Sequence, residues 1–69
     1  MLNSAKIIRE IRIQMCLEQE KFANLLGITK ASVCNYEAGR NKPKLSVIKK
    51  IREVAKENGM DIPVKDFLR

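Results

Sequence analysis

The sequence of 69 residues contains no histidine and has few cysteine, glycine, proline and aromatic residues. Without histidine there is no Ser-His-Asp triad, no Cys-His pair and no histidine-ligated metal. One tyrosine and two phenylalanines are too few for a surface that stacks the bases of single-stranded RNA. We therefore expect a protein that is not an enzyme and that has no cofactor and no metal site.

The two cysteines, Cys16 and Cys34, lie 18 positions apart and form no Cys-x-x-Cys pair. A structural zinc site needs about four ligands, which these two residues do not supply. A disulfide between them is formally possible, but an intracellular chain favours free thiols. Because free cysteines behave as small apolar side chains, both are predicted to be buried or half-buried.

Long apolar stretches are also missing, since none approaches the ~20 residues that span a bilayer. The first residues lack the basic flank and apolar run of a signal peptide. These absences predict a soluble cytoplasmic protein. The length and the apolar fraction of 45% predict one small globular domain over residues 1–69, too short to shape a deep pocket for a small-molecule effector.

Positive charge is unevenly distributed along the chain. The 14 basic and 8 acidic residues give a net charge of +6. Residues 30–52 contain seven basic residues and one acidic residue, a net +6, whereas the segments before and after carry +1 and −1. A basic segment of this kind suits a polyanion, because each neutralised phosphate releases counterions. A solvated lysine-rich surface has the same composition, so charge alone leaves both interpretations open.

Apolar residues at i, i+3 and i+4 spacing predict helices over about residues 4–15, 19–26, 30–38 and 45–58, with a short helix over 63–68. Thr29 is a favourable N-cap for the third helix. Gly27, Ile28 and Thr29 join the second and third helices, and a three-residue turn containing glycine is the sequence form of a helix-turn-helix. The predicted fold class is therefore all-α, a compact domain of four to five helices.

The same spacing predicts which side chains of the first and fourth helices face the core. The apolar stripe of the first helix consists of Ala5, Ile8, Ile11 and Met15. Ile7 and Ile13 fall outside that stripe, and they either widen the core face or contact a partner. The predicted core face of the fourth helix consists of Leu45, Ile48, Ile51 or Arg52, and Ala55.

Three successive segments in the middle of the chain together form one motif. They are Leu17-Glu18-Gln19-Glu20-Lys21-Phe22-Ala23, Gly27-Ile28-Thr29 and Val33-Cys34-Asn35-Tyr36-Glu37-Ala38-Gly39. This pattern resembles the lambda-repressor-like helix-turn-helix family, of Cro and XRE type. The family has roughly Leu-Ser-Gln-x-x-Leu-Ala, a Gly-Val/Ile-Ser/Thr turn, and Ile/Val-x-x-Trp/Tyr-Glu-x-Gly. The resemblance covers about residues 4–45. Cys16 departs from it, since the family often has glycine after the first helix.

The resemblance implies a transcriptional regulator, repressor-like, that binds double-stranded operator DNA. Such proteins usually act as two-fold dimers whose third helices enter successive major grooves about 34 Å apart. Carried over by position, the residues that face the bases are Lys30, Ala31, Ser32 and Asn35. Their chemistry agrees, because lysine donates to guanine, asparagine pairs bidentately with adenine, and alanine packs on the thymine methyl group.

Further roles follow from the resemblance. The positions that contact the DNA backbone are Gln19, Thr29, Arg40, Asn41 and Lys42. Arg12 and Glu37 match a structural ion pair. We expect the homodimer interface in the C-terminal segment, residues 60–68.

An alternative is an antitoxin or another protein-interaction module with the same fold. It is motivated by apolar residues in excess of what five short helices need: Ile7, Ile13, Met60, Ile62, Phe67 and Leu68. By size, the sequence is similar to small repressors of phages and mobile elements and to controllers of restriction-modification systems. This similarity predicts a prokaryotic or phage-encoded protein.

Overall fold

The computed structural model describes residues 4–68, which form five helices and no strand. The helices are α1 (Ser4–Gln14), α2 (Gln19–Leu26), α3 (Lys30–Glu37), α4 (Leu45–Glu57) and α5 (Val64–Phe67). The all-α fold class is confirmed. The domain expected over residues 1–69 extends at both ends beyond the described residues. None of the helices within residues 4–68 has the length and apolar character needed to cross a membrane.

The helices surround one apolar core. α1 packs against α3 and α5, α2 packs against α3 and α4, and α4 packs against α5. The largest fully buried side chains come from every helix: Phe22, Phe67, Ile8, Ile11, Ile48, Ile51 and Val33. Fully burying such a side chain stabilises the fold by about 1.5–3 kcal/mol, so α3 is fixed mainly by its single buried residue, Val33.

Of the two roles that the sequence leaves open for Ile7, the structure shows the first: Ile7 is buried and widens the core face of α1, which packs against α3 and α5. The prediction for Leu45 in α4 is wrong. Leu45 is 55% exposed, because it is the first residue of α4 and lies at the edge of the domain, and Val54 joins the core of this helix instead.

Four helices end at a residue with positive φ that turns the chain back. These residues are Cys16, Gly27, Gly39 and Gly59, with φ angles of 57°, 71°, 76° and 80°. The following residue then donates its N–H to the carbonyl five positions earlier: Leu17 to Arg12, Ile28 to Ala23, Arg40 to Asn35, and Met60 to Ala55. This arrangement is the Schellman motif. Within residues 4–68, Cys16 is the one non-glycine residue with positive φ.

The residue that follows each left-handed position lies over the preceding helical turn. Leu17, Ile28 and Met60 are partly buried there and pack against the core. Arg40 has the same backbone position at the end of α3, but it is exposed to solvent. The end of α3 thus differs from the other three helix ends in the polarity of this residue.

Candidate nucleic-acid interface

The turn between α2 and α3 is fixed by backbone conformation and by one cap. Gly27 takes the left-handed conformation that ends α2. Thr29 then begins α3, and its Oγ1 accepts the backbone N–H of Ser32 at 3.1 Å. A threonine cap of this kind stabilises a helix by about 1 kcal/mol. Phe22 and Val33, both 0% exposed, anchor α2 and α3 in the core on either side of the turn.

A cluster of three polar side chains connects α1, α2 and α3. The Arg12 Nε and Nη2 atoms donate to the two carboxylate oxygens of Glu37 at 2.7 and 3.0 Å, and Arg12 Nη1 donates to the Leu17 carbonyl at 2.8 Å. Gln19 Nε2 donates to Glu37 at 3.4 Å. The hydrogen bond to Glu37 raises the pKa of Arg12, against the lowering effect of partial burial. The cluster holds the first turn of α2 beside the last turn of α3.

The outer face of α3 carries the four residues predicted to face the bases. Lys30 and Ala31 are exposed, and Ser32 and Asn35 are half-buried. Ser32 Oγ lies 3.0 Å from Thr29 Oγ1, so its hydroxyl is engaged at the start of the helix. Asn35 Oδ1 accepts a hydrogen bond from Arg40 Nη1 at 3.2 Å. The face therefore combines one free lysine amine with two polar groups that already have partners.

The residues predicted to contact the DNA backbone surround this face. Arg40, Asn41 and Lys42 are exposed in the loop after α3, which leads through buried Pro43 to the start of α4. Gln19 is half-buried in the first turn of α2, where it contacts Glu37 at the end of α3. Thr29 acts as the α3 cap, so its hydroxyl also has a structural role.

The exposed charges on this surface are more strongly positive than the amino-acid composition indicates. Glu37 is the one acidic residue between positions 30 and 52, and its side chain is only 6% exposed and is paired with Arg12. The exposed part of this segment is therefore basic. Glu18 and Glu20 are exposed and line one cleft with Gln19 and Lys30, so they reduce the positive potential at the start of α2.

The two basic side chains farthest along this segment have contacts within the domain. Lys50 Nζ lies 3.9 Å from Glu53 Oε2, in an exposed pair of the kind that contributes little to stability. Arg52 Nε donates to the Ile62 carbonyl at 2.7 Å, and this hydrogen bond links the segment between α4 and α5 to α4. Of the seven basic residues between positions 30 and 52, Arg52 is half-buried and the other six are exposed to solvent.

The prediction that both cysteines are buried or half-buried is wrong. Cys16 and Cys34 are free and exposed. Cys16 lies in the left-handed turn after α1, outside the core. Cys34 lies on the exposed flank of α3, one residue and about 100° around the helix from buried Val33. The general preference of cysteine for the interior therefore does not hold at this position.

Most of the apolar residues that motivated a protein-interaction module belong to the fold. Ile7 and Phe67 are buried in the core, and Met60 and Ile62 pack against it. The two that remain exposed, Ile13 and Leu68, are 48% and 64% accessible. The supposed excess of apolar surface is therefore much smaller than the sequence indicates.

Sequence reasoning did not identify the hydrogen bond between Asn35 and Arg40. The signal for it was present, because glycine is the residue most often found in the left-handed position after a helix, and Gly39 follows α3. A Schellman turn places the residue after that glycine, Arg40, over the residue five positions earlier, Asn35. The contact between Arg40 and Asn35 can therefore be predicted from the sequence once the turn type is known.

Comparison with known proteins identifies relatives of this fold. The sequence model of a helix-turn-helix family, of Cro/C1 type, matches residues 8–62. The cryptic phage CTXphi transcriptional repressor RstR of Vibrio cholerae is 39% identical over 44 residues, which are 64% of this chain and 40% of that protein. The chain thus spans about two-fifths of the length of this curated relative. No solved structure matches.

Proposed function

Because the chain belongs to the Cro/C1-type helix-turn-helix family, we propose that it is a DNA-binding transcriptional regulator that acts as a repressor on operator sequences. The observation that carries this proposal is the basic surface formed by the capped helix α3 and the loop after it, in which Glu37, the one carboxylate, is paired with Arg12 and nearly buried. A surface of this charge suits DNA phosphates. The similarity to a phage repressor supports the same function and a cytoplasmic, prokaryotic or phage-encoded setting.

Two groups of residues divide the work of recognition in this proposal. Lys30, Ala31, Ser32 and Asn35 read base edges in the major groove, because all four lie on α3 outside its buried face and the first three belong to its N-terminal half. The DNA backbone is contacted by Gln19, Thr29, Arg40, Asn41 and Lys42. Contacts of the first kind set sequence preference, and contacts of the second kind fix position and add salt-dependent affinity. Arg12 and Glu37 hold the reading helix and do not touch DNA.

We further propose that the protein binds as a two-fold dimer. The domain measures 27 × 25 × 20 Å, so two copies side by side can present their α3 helices about 34 Å apart, which is one turn of DNA. The segment 60–68 is the proposed contact, with the half-exposed Met60, Ile62 and Val64 and the exposed Leu68 near one another in sequence. Sedimentation of the free protein and the symmetry of its selected sites test this point.

Selection of binding sites from random DNA, followed by fluorescence-anisotropy titration, tests the function. We expect a palindromic consensus and a Kd that rises steeply with salt. Binding that shows no sequence preference contradicts the proposal.

A pair of lysine variants separates the two roles. Lys30→Ala removes a base contact and should cost about 1–3 kcal/mol on the preferred site only. Lys42→Ala removes a backbone contact and should weaken binding to all sequences alike, with a smaller salt slope. Both side chains are exposed, so neither change should alter the fold. Equal losses on preferred and random DNA for Lys30→Ala argue against base reading by α3.

A further inference from the structure

We infer that Arg40 is a positioning residue for Asn35: it orients the Asn35 amide so that its NH₂ group is the end that reads the base. The inference rests on the proposed DNA-binding function and adds a specificity to it. Arg40 then differs in role from Lys42 in the same loop, although both are exposed basic side chains.

The backbone places Arg40 over Asn35. Gly39, with φ of 76°, turns the chain at the end of α3. The Arg40 N–H then donates to the Asn35 carbonyl at 3.0 Å, and Arg40 Nη1 donates to Asn35 Oδ1 at 3.2 Å. The two residues are thus joined through both main chain and side chain. Because the main-chain bond fixes the origin of the arginine, the side-chain bond costs less conformational entropy than one between unconnected surface residues.

The other helix ends show that this use of the position is specific to α3. Leu17, Ile28 and Met60 stand at the corresponding position after α1, α2 and α4, and each packs against the core. An apolar contact is the usual companion of a Schellman turn. Only at the helix that carries the proposed reading face does an exposed arginine take this position and bind a polar side chain.

The chemistry of arginine determines which end of the amide remains free. A guanidinium group has five N–H donors and no acceptor, so the amide oxygen of Asn35 must face it. The NH₂ group of Asn35 lies on the other side of the amide. It offers two donors, which match the N7 and O6 acceptors of guanine in the major groove. Adenine requires a donor and an acceptor together, which is the pattern of an asparagine amide that is free to turn. We therefore expect Asn35 to prefer guanine, against the adenine pairing that its residue type alone predicts.

Selection of binding sites from random DNA tests the inference on four proteins: the wild type, Asn35→Ala, Arg40→Ala and Lys42→Ala. The position at which Asn35→Ala loses its preference identifies the base pair that Asn35 reads. At that position the wild type should select guanine. Arg40→Ala should shift the guanine-to-adenine ratio toward adenine by about tenfold or more and leave the other positions unchanged. Lys42→Ala should leave the preference at every position unchanged.

Each result has one meaning. If Arg40→Ala weakens binding to all sequences by the same factor and keeps the preference, Arg40 is only a phosphate contact and the inference is overturned. A wild-type preference for adenine at the Asn35 position overturns it as well. If the wild type itself selects no sequence, the proposed function fails, and this outcome is distinct from the first two. Circular dichroism of Arg40→Ala verifies that the helices are retained.

Discussion

Cys16→Gly should make the protein more stable, although glycine in place of another residue usually destabilises a chain. Cys16 has φ of 57°, in the left-handed region where a side chain with Cβ costs about 1–2 kcal/mol. Its side chain is exposed, so the substitution removes no buried contact. Both Schellman hydrogen bonds at this turn, from Cys16 to Ile13 and from Leu17 to Arg12, use main-chain atoms and remain available.

The expected size of the effect is a difference of two terms. Relief of the left-handed strain contributes about 1–2 kcal/mol. Greater freedom of glycine in the unfolded chain offsets about 0.4–1 kcal/mol of this. The net gain is about 0.8 kcal/mol at the midpoints of the two terms and about 1.6 kcal/mol at most, and the midpoint corresponds to a rise in Tm of roughly 3–6 °C for a domain of this size.

Urea denaturation under reducing conditions measures the change, and Cys16→Ala is the matched control. Alanine removes the sulfur but keeps Cβ and the left-handed strain, so its free energy of unfolding should stay within about 0.5 kcal/mol of the wild type. If Cys16→Gly is no more stable than Cys16→Ala, the turn after α1 is not strained and the reasoning is refuted.

Three further substitutions test other parts of the fold by urea denaturation. Glu37→Gln should lower the free energy of unfolding by about 1.5–3 kcal/mol, because it leaves the half-buried guanidinium of Arg12 without its counter-ion. A decrease of less than about 0.5 kcal/mol argues against a structural role for this ion pair. Thr29→Ala should cost about 1 kcal/mol through loss of the α3 cap, whereas Thr29→Ser should be nearly neutral; equal losses contradict the capping role. Phe67→Ala should cost about 3–5 kcal/mol, since it empties a fully buried site, and a small loss means that α5 is dispensable.

Helical periodicity and turn residues explain why the architecture can be predicted from this sequence. Gly27, Gly39 and Gly59 all take the left-handed conformation that their place after an apolar segment predicts. Thr29 caps α3 as its residue type indicates. These signals are local, and they agree with the tertiary packing, so sequence and structure point to the same helices.

Whether a side chain is buried is harder to predict from the sequence when the residues that cover it are distant in sequence. Ile7 stands four positions before Ile11, so its spacing allows a place in the core, and the packing of α1 against α5 as well as α3 accounts for its burial. The cysteines were misassigned because a general preference was applied where the backbone decides exposure. In the candidate site, the residue types of α3 and its loop indicate a DNA-reading surface. The partner of Asn35 depends on the turn geometry at Gly39, and the base preferences stay a prediction.

The packing of α1 against α5 has a consequence for how this chain folds. These two helices contain the described residues that are farthest apart in sequence, whereas α2 and α3 are joined by a turn of three residues. Closing the larger loop costs more chain entropy, so we expect the α1–α5 contact to form after the α2–α3 pair during folding. Substitutions at Phe67 should therefore speed unfolding more than they slow folding, and α3 should pack against α2 before α5 packs against α1.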